Sequence, residues 1–129
     1  MTERNDDLKW ILVADDEASL RDFVERALQY AGYGVDVVCD GMDALVKLQE
    51  KKYDLLLTDI VMPEMDGIAL SLKAAKDYPE MKILLMTGYA DQKQRAHNID
   101  VLVHEVVSKP FSLEEITKRV AAVLAEEAA

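Results

Sequence analysis

The sequence predicts an α/β domain in which a five-stranded parallel sheet is wound on both faces by helices, a (βα)5 arrangement. Three observations point to it. Short apolar runs alternate with amphipathic segments five times along the chain. The first, third and fourth runs are continuous rather than alternating, which is how strands covered on both faces read. No linker, low-complexity stretch or internal repeat interrupts the alternation, so strand–helix–strand crossovers account for the whole pattern.

Each element has its own justification. The strand runs are Trp10–Ala14, Val35–Cys39, Leu55–Thr58, Ile83–Met86 and Val106–Ser108. Between them, Leu20, Phe23, Val24, Ala27, Leu28 and Ala31 recur at spacings of three and four, the face of a first helix. Ala44, Leu45 and Leu48 mark a second. Ile68, Leu72 and Ala75 mark a third, which must stop before Pro79 because proline removes an N–H and disfavours helix in the residue before it. The fourth, 91–99, is mostly polar, with Ala96 and Ile99 as its inward candidates. The fifth starts at Ser112, with Glu115 three residues on as in a capping box, and has Leu113, Ile116, Val120, Val123 and Leu124 as its apolar face.

The 129 residues suit one ordinary domain, and the 50% apolar content provides a core. The expected boundaries are a flexible N-terminus over 1–8, the domain over 9–125 and a flexible tail over 126–129. With 25 acidic against 15 basic residues, the net charge of −10 argues against binding a nucleic-acid backbone. The N-terminus lacks a basic-then-apolar secretory pattern and no run spans a bilayer, so no membrane association is expected. Cys39 is the only cysteine, which excludes an intrachain disulfide and suits a cytoplasmic location. Cys39 itself is expected to be a small buried apolar group, the methionines core filler, and His97 and His104 surface or packing residues.

In parallel sheets of this kind, ligands bind at the carboxyl ends of the strands. Those ends carry Asp15 and Asp16 after the first strand, Asp59 after the third, Thr87 after the fourth and Lys109 after the fifth. An acidic pair at a strand end often serves only as a helix cap, but convergence of residues from four strands calls for more. Adjacent carboxylates resist joint ionisation, and a divalent cation reverses that penalty. An all-oxygen donor set points to Mg2+. Magnesium is commonly shared with phosphate, so the chemistry indicated is phosphoryl transfer. A carboxylate would attack phosphorus, while Lys109 and the Thr87 hydroxyl hold the phosphoryl oxygens.

Four motifs then match a known family: Ile11–Glu17 (ILVADDE), Leu57–Gly67 (LTDIVMPEMDG), Met86–Gly88 (MTG) and Ser108–Phe111 (SKPF). Together they resemble the receiver domains of two-component response regulators, CheY-like proteins of flavodoxin-like fold, from about Lys9 to Ala125. The resemblance implies strand order 2-1-3-4-5, Asp59 as phosphoacceptor, and Mg2+ held directly by Asp16 and Asp59, by Asp15 through water and by the Val61 backbone carbonyl. It also implies that Thr87 and Lys109 meet the phosphoryl group and that the Lys109–Pro110 bond is cis, an isomer X-Pro bonds tolerate. Gly67 is expected to let the loop after Asp59 turn tightly. The implied donor is a histidine kinase or a histidine phosphotransfer protein. The protein would not be an enzyme in the ordinary sense, although receivers can catalyse their own phosphorylation and dephosphorylation.

The sequence departs from the family pattern in two places. Val106 stands where an aromatic switch residue is usual, leaving Tyr89 as the candidate substitute. Val61 and Tyr89 flank the phosphoryl position with bulky groups, which implies slow self-dephosphorylation.

With no further domain expected, output falls to the face made by the fourth helix, fifth strand and fifth helix, about Asp91 to Leu124. Among receivers the chain looks most like stand-alone regulators of the CpdR type, which prepare an ATP-dependent (ClpXP-type, AAA+) protease for its substrates. Ala128 and Ala129 would suit a protease-recognised tail. The alternatives are a phosphorelay intermediate or a motor-binding CheY-like regulator, as a monomer or a weak phosphorylation-dependent dimer. An aspartyl phosphatase of the haloacid dehalogenase type would need an acid two residues after its nucleophile, where this chain has Val61. A flavodoxin-like cofactor carrier is disfavoured because Asp15-Asp16-Glu17 would repel a cofactor phosphate.

Overall fold

The computed structural model describes residues 8–62, 65–88 and 105–126, with 105 and 106 as backbone. Its elements run β1 (Trp10–Ala14), α1 (Ala18–Tyr30), β2 (Gly34–Val38), α2 (Gly41–Glu50), β3 (Leu55–Asp59), α3 (Gly67–Asp77), β4 (Lys82–Thr87), β5 (Glu105–Ser108) and a C-terminal helix, α4 (Leu113–Ala125). The five strands are parallel in the order β2-β1-β3-β4-β5, as expected. The expected helix over 91–99, Tyr89, both histidines, the Val106 side chain and most of both tails lie outside the described residues.

Alternate residues of the continuous apolar strands feed two separate cores. Leu12, Leu56, Ile83 and Leu85 pack beneath α2 and α3, with Ala44, Leu48, Leu70 and Ala74. Ile11, Val13, Leu55, Leu57, Leu84 and Met86 pack beneath α1 and α4, with Val24, Leu28, Ile116, Val120 and Val123. Each buried Leu or Ile is worth about 1.5–3 kcal/mol, so a central strand such as β3 contributes to both cores at once.

The helix ends follow their sequence signals. Asp40 and Asp66 accept from the N–H groups of Asp43 and Ala69 at 2.8 and 2.9 Å. Ser112 and Glu115 form the full capping box at 3.0 Å in each direction. Helix α3 ends at Asp77, ahead of Pro79.

Several expectations need correction. Cys39 is exposed, because β2 is an edge strand that ends at Val38. Helical spacing predicts Phe23, Leu72 and Leu113 on inward faces, but they are exposed, since each sits at the margin of an apolar stripe where only the centre reaches the sheet. Ala31 is likewise exposed, one residue past the end of α1. Met62, Met81 and Met86 fill the core as expected, whereas Met42 does not.

At the amino end of the sheet a cluster forms that no linear motif announces. The Trp10 ring lies over Gly34, where any Cβ would collide with it. Above the same indole stands the Lys51 ammonium, 3.2 Å from the ring centroid, which also pairs with Asp36 at 3.1 Å. The Tyr53 hydroxyl donates to the same Asp36 oxygen at 2.6 Å. Partial burial pushes the Asp36 carboxyl up, but Tyr53 and Lys51 outweigh it and hold the group below the usual carboxylate range. A depressed carboxyl contributes stability above its unfolded pKa and loses it as pH falls through the folded value. Tyr53→Phe is expected to cost about 1.5–3 kcal/mol at pH 7, the scale of a hydrogen bond to a charged group. Urea denaturation at pH 7 and in strong acid checks this, since the difference between variant and wild type should shrink once Asp36 is protonated.

Candidate functional site

Residues from four strand ends meet at the carboxyl edge of the sheet. Asp15 follows β1, Asp59 closes β3, Thr87 closes β4 and Lys109 follows β5. Asp15, Asp59 and Thr87 are buried, while Asp16 faces solvent. Ligand oxygens of Asp15, Asp16 and Asp59 all lie within 4.8 Å of one another.

Lys109 neutralises part of this cluster. Its Nζ stands 3.1 Å from Asp59 Oδ1 and 3.3 Å from Asp15 Oδ2. Its backbone N–H donates to the Thr87 carbonyl at 2.7 Å, tying the loop after β5 to the end of β4. The following Lys109–Pro110 bond is cis, as the resemblance implied.

Burial pushes the Asp59 carboxyl above its ordinary range, against the opposing pull of Lys109. Burial alone would lower the Lys109 ammonium, but Asp59 and Asp15 outweigh it and raise the group instead. The cation is therefore secure and the central carboxylate costly to ionise. That pattern suits a site completed by additional positive charge.

The donor chemistry fits a hard divalent ion. Every candidate ligand in the cluster is an oxygen, the donor set a hard divalent ion such as Mg2+ would take, and Asp15, Asp16 and Asp59 are the residues that would hold it. A second group, Cys39, Asp40 and Asp43, also gathers ligand atoms. Capping explains that group, since Asp40 receives the Asp43 N–H at the start of α2.

The loop after β3 approaches the site closely. A Cβ at Gly67 would run into the Asp59 carbonyl, and the Gly67 N–H donates to Ile60 at 2.7 Å. Gly67 is thus required by close backbone approach rather than by the tight turn anticipated from sequence. Thr58 donates its hydroxyl to the same Asp59 carbonyl at 3.0 Å.

Around the carboxylates opens a cleft of about 720 Å3, bordered by Asp16, Asp59, Lys109, Val61 and Phe23. It adjoins a groove between α1 and α4 where Phe23, Tyr30 and Leu113 are 37%, 90% and 45% exposed. Two features of this region went unread in the sequence. Phe23 looked like a core residue by helical spacing. Arg21, whose Nη1 donates to the Asp15 carbonyl at 2.8 Å, had no motif of its own. The available signal was a long cationic side chain on the first turn of the helix that follows the acidic pair.

A doubly wound five-stranded parallel sheet with an acidic cluster and one lysine at its carboxyl edge defines a phospho-receiver architecture. The model of the response regulator receiver domain family matches residues 11–121, and the chain belongs to that family. Among curated proteins it is similar to the response regulator receiver protein CpdR of Brucella abortus, 41% identical over 113 residues, covering 88% of this chain and 94% of that protein. It is also similar to the response regulator MprA of Mycobacterium avium, 32% identical over 114 residues, where it spans 50% of the relative's length. Among solved structures, response regulator TrrA of Thermotoga maritima in complex with Mg2+-BeF superposes with a TM-score of 0.82. It is 33% identical, with coverage of 90% of this chain and 99% of that one.

Because burial raises the folded-state pKa of Asp59, the stability tied to this group is present at low pH and lost as pH rises through that value. Asp59→Asn removes the loss. The metal-free variant is expected to have a higher urea midpoint than wild type at pH 7, with the two converging in acid.

Proposed function

We propose that the protein is a phosphorylation switch whose acceptor is Asp59. The observation that carries the reading is a buried aspartate at the end of β3, within ion-pair distance of Lys109 and clustered with Asp15 and Asp16. One Asp59 carboxylate oxygen attacks the phosphorus of a phosphohistidine on a kinase or phosphotransfer protein. The new P–O bond forms as the P–N bond breaks, the electron pair leaves with the imidazole, and Asp59 becomes an acyl phosphate.

Lys109 is already oriented toward the acceptor and is suited to pair with the phosphoryl oxygens. Thr87, at the end of the neighbouring strand, offers a hydroxyl for the same oxygens. Asp15, Asp16 and Asp59, with the Val61 carbonyl, would hold Mg2+. A bound ion would offset the negative charge of the incoming phosphoryl group, and TrrA with Mg2+-BeF is the related case. The chain's own groups receive the phosphoryl group rather than turn over a separate substrate. Val61, where the haloacid dehalogenase alternative needs an acid, supports that reading.

The groove over Phe23, Tyr30 and Leu113 shares Ser19 and Phe23 with the cleft that Asp59 lines, and it suits a helical donor that presents its phosphohistidine to that cleft. A protein donor and a small phosphodonor should therefore separate the roles. Asp59→Asn is expected to take up no phosphoryl group from either, as measured by mass shift. Phe23→Ala should accept normally from acetyl phosphate but about tenfold more slowly from a phosphorylated phosphotransfer protein, the scale of losing one interfacial aromatic. The acyl phosphate should decay over minutes or longer, as bulky Val61 restricts water. Labelling of Asp59→Asn equal to wild type, or decay within seconds, would contradict these assignments.

The finer proposal concerns output. The match to CpdR over nearly that protein's whole length supports a stand-alone regulator of ATP-dependent proteolysis acting through the surface that contains β5 and α4. A phosphorelay intermediate is the alternative. Affinity capture on immobilised wild type and Asp59→Ala, with and without beryllofluoride, is expected to retain an AAA+ protease component in one phosphorylation state only. Retention of a histidine phosphotransfer protein alone would favour the relay.

A further inference from the structure

We infer that Arg21 is a positioning residue for the divalent-cation site, acting through the backbone of Asp15. The inference rests on the reading of Asp15, Asp16 and Asp59 as that site, and it begins with how β1 ends.

The β1–β2 ladder runs to Ala14 opposite Val38, and one further bond follows, from the Asp15 N–H to the Val38 carbonyl at 3.2 Å. In a parallel ladder the next rung would bring an N–H from two residues beyond Val38 onto the Asp15 carbonyl. That residue is Asp40, and the chain has already turned there, because Asp40 is the N-cap of α2. The Asp15 carbonyl is thus a strand-end acceptor whose ladder donor has been diverted. Arg21, on the first turn of α1, supplies the replacement: its Nη1 donates to that carbonyl at 2.8 Å. Guanidinium is suited to this, being always charged, rigid at its tip and rich in donors.

This bond completes the immobilisation of Asp15. Its N–H goes to Val38 and its carbonyl receives Arg21. Its Oδ1 receives the Glu17 N–H at 2.8 Å, and its Oδ2 faces Lys109 at 3.3 Å. Backbone and side chain of Asp15 are both fixed, and the direction in which the chain leaves Asp15 sets where Asp16 stands. Without the Arg21 bond the Asp15–Asp16 peptide loses the tie on its carbonyl, and the two carboxylates are held less firmly toward Asp59. Outer partners that orient ligands in this way typically cost 10–100-fold in metal affinity when removed.

The test measures Mg2+ binding by calorimetry to metal-free protein, a readout that does not depend on phosphorylation. Arg21→Met keeps the aliphatic stem and removes the donors. It is expected to weaken Mg2+ binding about tenfold, with Arg21→Lys recovering part of the loss. Val24→Ala, a core truncation on the same helix, controls for stability and should leave Mg2+ affinity unchanged. In acetyl phosphate labelling, Arg21→Met should need more Mg2+ for half-maximal rate yet approach the wild-type rate at saturation. Unchanged Mg2+ affinity in Arg21→Met, or equal weakening in Val24→Ala, would overturn the role assigned to Arg21. Absence of Mg2+ binding in wild type would overturn the site reading itself, and this inference with it.

Discussion

The crowding of three carboxylates at the carboxyl edge of the sheet, two of them paired with one ammonium, is the constraint on which the rest depends. Asp15 and Asp59 are buried within reach of each other, and among the described residues Lys109 is the cation that bridges both. Such an arrangement is costly by itself, since burial disfavours the ionised form and neighbouring negative charges add to the cost. The fold tolerates it because the strands beneath bury apolar side chains on both faces, which resists a rearrangement that would separate the charges. The same cost is what a divalent cation would relieve, since added positive charge favours the ionised carboxylates.

Topology explains why these residues and no others converge. With β1 and β3 adjacent at the centre of the order β2-β1-β3-β4-β5, the loops after them open toward the same edge, and the loops after β4 and β5 close the other side. Backbone contacts then refine the positions. The Lys109 N–H on the Thr87 carbonyl joins two of these loops, and the close approach of Gly67 to the Asp59 carbonyl fixes a third. Function here is a property of loop placement, for which the double core supplies rigidity.

Much of this was legible in the sequence. The continuous runs in β1, β3 and β4, the capping box at Ser112 and the stop before Pro79 are local signals, and local signals specify element type well. The site residues were legible because a parallel sheet converts strand ends into neighbours. Features arising between elements were not. Gly34 beneath Trp10, Lys51 above it and Tyr53 on Asp36 join residues that no periodicity links. Helical spacing placed Phe23 and Leu113 inside because it locates an apolar face without saying how much of that face the sheet covers. Arg21 was passed over because a cation on a helix is ordinary until its acceptor is known. Cys39 was misjudged because edge position, not residue type, decides exposure at the end of β2.

The most direct test of the central claim is 19F NMR of the protein with Mg2+ and beryllofluoride, a phosphoryl mimic that needs both the acceptor carboxylate and the cation. Protein-bound fluoride resonances that require Mg2+ and vanish in Asp59→Asn are the expected result. Spectra containing only free beryllofluoride species, or bound signals that persist in Asp59→Asn, would contradict it.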